Sequence, residues 1–224
     1  MKQYPFEIII NHKDVNSSRI RISPDCRVYV TAPRGADIEA LIDSKVEWIM
    51  KKIGELDRLA SEYQTGDGSF IYNGRMWHPV FSESRPVTFS WPDIHYPSVE
   101  KLRKAVSQEL KEDIIHRLDH YSKKMDVEYS RVSIRNQRTR WGSCSGKGNL
   151  NFNIRSMALP ENIRDYLVVH ELSHRIEMNH SPAFWKKVSE YYPGFRQAEK
   201  ELKAYWIIIA RSRIWGSLLG SQDI

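Results

Sequence analysis

Four residues in the last third of the chain have the types and the spacing that chemistry requires: His170, Glu171, His174 and His180, in the stretch VVHELSHRIEMNHS at 168–181. On a helix, residues four apart lie one turn above each other on the same face, so the imidazoles of His170 and His174 can reach one ion. Neutral imidazole nitrogens are good zinc ligands. Glu171, next to the first histidine, then sits beside the metal without binding it and can take a proton from an attacking water. The expected chemistry is zinc-dependent hydrolysis. The plainer alternative, a helix with two surface histidines, fits poorly with the apolar lead-in Leu167-Val168-Val169, because buried His and Glu need partners and a metal supplies one.

A catalytic zinc takes three protein ligands and keeps a position open. His180 is the expected third ligand, with Glu177, at i+3 from His174, as the alternative. His180 requires the helix to stop near Met178 and the chain to reverse; Asn179 and Ser181-Pro182 are residues that do this. The spacing of the three histidines is that of the metzincins, but Glu177 replaces the glycine of that motif.

A second candidate region is basic. Residues 129–160 contain no Asp or Glu but hold Arg131, Arg135, Arg138, Arg140, Lys147 and Arg155, which equal the whole net charge of +6. Arg138 and Arg140, placed on alternating positions of a strand, would grip one anionic group: a carboxylate, a phosphate or nucleic acid. In the same segment Trp141 reads as a core or hinge aromatic, Cys144 as a small packed residue, and Gly142, Gly146 and Gly148 as points of close backbone approach. The other histidine pair at i,i+4, His116 and His120, lacks an acid beside its first member and is flanked by Arg117, so it reads as a solvated face.

The elements that must position these residues can be read from turn signals and periodicity. Strands are expected at 6–10, 19–22 and 27–31, followed by one helix from the N-cap Asp37 through Ile38, Leu41, Ile42, Val46, Ile49, Ile53 and Leu56. The TGDGS run at 65–69 breaks the chain. Beyond it, Asn73-Gly74 joins strands at 70–72 and 76–81 as a two-residue hairpin, and 86–91 reads as a further strand. A long helix starts near Ser98 and strands are expected at 132–136 and 149–153. Helices then open at Pro160, at Ser181-Pro182 and after Pro193-Gly194. The fold class is α+β: a strand-rich N-terminal half (1–97) and a helical, zincin-like half (98–224) that carries the chemistry.

Cys26 and Cys144 stand far apart with no CxxC, so neither a disulfide framework nor a cysteine zinc site is suggested. The longest apolar run, 204–210, is far short of a membrane span, and the N-terminus carries no export signal. A cytoplasmic protein without a membrane partner is expected.

The run RTRWGSCS, a strand, LP, YLVVHELSH and then NHSPAFW, from Ile134 to Trp185, resembles the YgjP-like metallohydrolases, with the SprT-like and WLM proteases as more distant relatives. The stretch from Ser18 to Leu59, with its strand pair, APRG and a helix containing Lys45 and Trp48, is also similar. The resemblance implies a zinc-peptidase-like core with ligands at His170, His174 and His180. It also implies one of two activities, peptide hydrolysis or nucleoside-triphosphate pyrophosphatase chemistry. Peptide or protein is the leading substrate class. A nucleoside triphosphate held by Arg138 and Arg140 is the alternative, although no P-loop and no carboxylate cluster for magnesium is present. A nucleic-acid-associated module with a structural zinc is the third reading, and a closed structural site suits three histidines plus an adjacent acid least.

Overall fold

The computed structural model describes residues 2–62 and 70–220, so the 65–69 break lies outside the described residues. The N-terminal strands β1 (Ile8–His12), β2 (Arg19–Ile22) and β3 (Val28–Ala32) form a sheet in the order β1-β3-β2, with β1 parallel and β2 antiparallel to β3. Alternation along β3 turns Val28, Val30 and Ala32 inward, where they meet Ile42 and Ile49 in a small core of their own. The single helix expected after Asp37 is two: α1 (Ile38–Asp43) and α2 (Val46–Glu62). The apolar spacing runs through the break, but the Ser44 hydroxyl donates to the Leu41 carbonyl at 2.8 Å and offers the backbone a competing partner.

The hairpin signal is realised. Strands β4 (Phe70–Tyr72) and β5 (Arg75–Phe81) flank Asn73 and Gly74, whose φ angles of 49° and 71° are those of a type I′ turn. With β6 (Thr88–Ser90) and β7 (Asp93–Tyr96) they form a sheet in the order β4-β5-β7-β6. The turn is tucked under the chain that leads into the chemistry. Asn73 N donates to Met157 O at 2.7 Å and Gly74 N to Ala158 O at 3.0 Å, and a Cβ at Gly74 would stand 2.6 Å from that of Pro160.

The long helix α3 (Val99–Met125) is capped by Ser98, whose hydroxyl accepts from Lys101 N, and buries Leu102, Val106, Leu110, Ile114 and Leu118 on one stripe. A third sheet, in the order β8-β10-β9, joins β8 (Val132–Arg135), β9 (Gly142–Cys144) and β10 (Leu150–Asn153). After a short 3-10 helix (Ile154–Ala158) come α4 (Glu161–Ser173), α5 (Pro182–Tyr191), α6 (Phe195–Arg211) and α7 (Arg213–Leu219). The architecture is α+β, with a strand-rich N-terminal half and a helical C-terminal half. Phe70, Tyr72 and Ile94 of the second sheet belong to the same large core as α3, α4, α6 and Trp215. No helix among the described residues is long and apolar enough to cross a membrane.

In the first turns of α4 lies a polar network. Arg164, 1% exposed, donates to Asp113 at 2.8 Å, to Asn73 Oδ1 at 2.8 Å and to the Leu159 carbonyl. Asp113 also receives Arg117 at 2.8 Å, and Arg117 in turn reaches Asp165 on α4. Helix, hairpin and α3 are thereby locked together behind the histidines.

Candidate metal centre

Helix α4 buries residues on almost every side, including Ile163, Tyr166, Leu167, Val168, Val169 and Leu172. It therefore holds His170, Glu171 and His174 rigidly, as a site that must not drift needs. The helix ends at Ser173, five residues earlier than Met178. The Ser173 hydroxyl bonds back to Val169 O at 2.8 Å, and the Arg175 side chain is drawn off to the carbonyls of Glu128 and Gly146. The chain then reverses. Asn179 Oδ1 accepts from Ser181 N at 3.0 Å, and Ser181 Oγ accepts from Phe184 N at 3.3 Å to open α5 with Pro182 in its first turn.

The reversal returns His180 to the helix. His170, His174 and His180 each offer one ligand atom, all within 4.8 Å of one another, and His180 Nε2 lies 3.1 Å from His170 Nε2. The Nδ1 atoms of the two helix histidines are occupied elsewhere: His170 Nδ1 is 3.2 Å from Tyr166 Oη, and His174 Nδ1 is 3.2 Å from the Glu177 carbonyl. Such partners fix each ring and its tautomer and leave Nε2 for an ion. Phe184 stacks on His174 with centroids 4.6 Å apart, and Trp185 stacks on His180 at 5.7 Å. Glu177 thus meets the cluster through its main chain and is not among the grouped ligand atoms.

Glu171 is 4% exposed and sits under β9. A Cβ at Gly142 would stand 2.9 Å from Glu171 Cδ and closer still to Oε1, so only glycine permits this approach. Among the described residues, the buried Glu171 Oε2 has no hydrogen-bond partner. Burial pushes this carboxyl up to about 8, against the opposing charge of Arg140. Burial, and after it His174 and His180, hold His170 down at about 3, which keeps it in the neutral form that binds metal. Three converging imidazole edges with no carboxylate between them, beside a buried acid whose Oε2 lacks a partner, are a donor set that fits a divalent cation.

These groups face a cavity of about 460 Å³ lined also by Arg140, Trp141, Met178 and Glu199. Arg138 and Arg140 lie on the loop between β8 and β9, not on alternating positions of a strand, and Arg140 alone of the two lines this cavity. Cys144 is a half-buried free thiol on β9 whose pKa burial raises. His116 and His120 are exposed on α3. Gly142, read from the sequence as a point of close backbone approach, is one, with Glu171 against it. Sequence reasoning did not single out Tyr166 or Glu199; Tyr166 carried a usable signal, lying one helical turn before His170, and Glu199 is brought in by tertiary packing alone.

A three-histidine cluster with a buried acid at its side is an arrangement that suits a metallohydrolase. The chain belongs to the YgjP-like family, whose metallopeptidase-domain model matches residues 16–205. No curated protein matches it. Two solved structures are similar over part of the chain, the metallopeptidase zymogens abylysin of Pyrococcus abyssi and jannalysin of Methanocaldococcus jannaschii. Each is 24% identical and covers 40% of this chain, with 90% and 91% of their own chains covered and TM-scores of 0.37 and 0.35.

Proposed function

We propose that the protein is a zinc peptidase in which His170, His174 and His180 hold the ion through Nε2 and Glu171 is the general base. The observation that carries this is the convergence of the three histidines next to a buried carboxylate oxygen without a partner. An ion held there supplies Lewis acidity, which makes a neighbouring water acidic enough to attack a carbonyl at neutral pH. Glu171 takes the proton of that water on its carboxylate and hands it to the leaving amine nitrogen. Tyr166 and the Glu177 carbonyl hold two of the rings in register. Arg140 lines the cavity, where its charge favours a developing oxyanion or a substrate carboxylate, and Arg138 adds to the positive charge of the loop.

A peptide is favoured over a nucleotide by the strand that borders the cavity. β9 is at the edge of its sheet, and its backbone between Gly142 and Cys144 can pair with an extended chain. The test is Glu171→Gln beside His174→Ala, assayed on unfolded protein and on nucleoside triphosphates. The Gln variant should keep stoichiometric zinc and lose about 10²–10⁴-fold in peptide hydrolysis, because the carboxylate moves a proton and does not hold the ion. His174→Ala should lose both metal and activity. Near-normal turnover by Glu171→Gln removes the general-base role, and hydrolysis confined to triphosphates removes the peptidase reading.

A further inference from the structure

Beside the catalytic cavity lies a second one, of about 660 Å³, which the chemistry described above leaves unused. The two share Trp141, Glu199 and Leu202, so a single wall separates them. The second cavity is assembled from both halves of the chain: Ile22, Trp48 and Leu56 come from β2 and α2, and Trp141, Leu202 and Trp206 from the β8–β9 loop and α6. Trp48 is 44% exposed. The small N-terminal core is built from other residues of that helix pair, Ile42 and Ile49, so Trp48 is not needed there. The opposite wall is rigid. Trp141 meets Trp206 edge-on at 5.0 Å, and the Arg155 guanidinium lies over Trp206 at 5.2 Å. Arg155 is itself held by Asn136 Oδ1 and the Gln137 carbonyl at 3.0 and 2.8 Å.

Resting on the peptidase reading, we infer that this cavity takes a large apolar side chain of the substrate, from the residue on one side of the scissile bond, and that the N-terminal unit thereby selects the cleavage site. Three observations decide the occupant. The walls are mostly tryptophan and aliphatic, and their four charged members, Lys52, Glu55, Glu199 and Lys203, are two of each sign, with Lys52 and Glu55 paired at 2.6 Å, which gives a charged guest no net attraction. The size is that of a preformed pocket for a small group. Above all, Trp141 directly precedes Gly142, the residue against which Glu171 is pressed, so a side chain seated on Trp141 belongs to a residue next to the reacting carbonyl. An aromatic wall that is already ordered binds such a side chain at little entropic cost. Trp141 is then a wall of a substrate pocket and not simply a packed aromatic.

The test uses the full chain with two readouts. In the first, the Glu171→Gln protein is labelled with 5-fluorotryptophan, and its fluorine resonances are assigned through Trp48→Phe, Trp141→Phe and Trp206→Phe. It is then titrated with Ac-Gly-Phe-Gly-NH2 and with Ac-Gly-Ala-Gly-NH2. The phenylalanine peptide should shift the resonances of Trp48, Trp141 and Trp206, and the alanine peptide should not. In the second, the zinc-loaded wild type and Trp48→Ala cut a peptide library. Cleavage should be enriched beside Phe, Trp, Tyr or Leu at one position, and the kcat/KM ratio for Phe over Ala there should fall about tenfold or more in Trp48→Ala. Cleavage without the aromatic preference, or without the tryptophan shifts, overturns the pocket and leaves the peptidase standing. Shifts without any cleavage keep the pocket and sink the peptidase. Shifts that follow protein concentration with no peptide present assign the cavity to a second copy of the chain and overturn the inference.

Discussion

Helix α4 carries two polar clusters about two turns apart, the back one in its first turns and the front one at its carboxyl end, and they are treated in opposite ways. At its back every charge has a partner: Arg164 meets Asp113, Asn73 and a carbonyl, and Arg117 spans Asp113 and Asp165. At its front Glu171 Oε2 has none, and three imidazoles crowd one another. A buried group left unsatisfied is destabilising by itself, so the front exists at the expense of the fold and the back holds the helix in spite of it. Helix α4 shows that stability and reactivity can be assigned to different ends of a single element.

The largest expected effect concerns what the front requires. His180→Ala should weaken zinc binding by more than about 100-fold, beyond the 10–100-fold that loss of a supporting partner causes, and Glu177→Ala should stay within about tenfold. The reason is that Glu177 meets His174 through its main-chain carbonyl, which survives the substitution. A chelator competition titration decides. Reversed affinities would make Glu177 the third ligand and move His180 out of the cluster.

Next comes the back. Arg164→Met should destabilise the metal-free chain by about 3 kcal/mol, the lower end for breaking a buried ion pair, since Arg117 still neutralises Asp113. Glu171→Gln, which replaces a buried carboxyl whose Oε2 lacks a partner, should change stability by less than about 1 kcal/mol or raise it. Urea unfolding of both variants measures the contrast. Equal losses would mean that front and back are not divided as argued.

The two clusters also differ in how far they can be read from the chain. The three histidines span eleven residues across one helix and one turn, so spacing reveals them, and the hairpin turn at Asn73-Gly74 is equally local. Arg164 and Asp113 are 51 residues apart, and nothing in either neighbourhood pairs them. β9 escapes notice because Gly142-Ser143-Cys144 has no apolar alternation; pairing with β10 makes it a strand. The early end of α4 is hidden for a similar reason, since Arg175 is pulled away by carbonyls at Glu128 and Gly146, distant in sequence. Asn179 and Ser181-Pro182 mark the reversal but not where the helix stops.

A smaller effect tests whether the front borrows order from its own helix. Tyr166 is in the core and its hydroxyl faces His170 Nδ1. Tyr166→Phe keeps the packing and removes this one bond, so zinc affinity should drop about 10–100-fold, less than for His180→Ala. Unchanged affinity in the same competition assay would show that packing by Phe184 and Trp185 is enough to orient the ring.

The smallest expected effect is the response of the back to acid. Burial by itself raises the Asp113 carboxyl, but the hydrogen bond from Arg117 and the charge of Arg164 outweigh it, and its pKa lies below the ordinary value of 3.8. A carboxylate depressed in the folded state stabilises the fold at pH values above its unfolded pKa, and the contribution is lost as pH falls from there through the folded value. Asp113→Asn removes that dependence. Unfolding should be followed with metal-free wild type and variant, so that the histidines behave alike in both and cancel in the difference. The stability gap in favour of the wild type should be constant near neutrality and should narrow only below about pH 4, as the wild-type carboxylate protonates. A gap that narrows instead near pH 6–7 would show that protonation of Asp113 is not its source and would overturn this account.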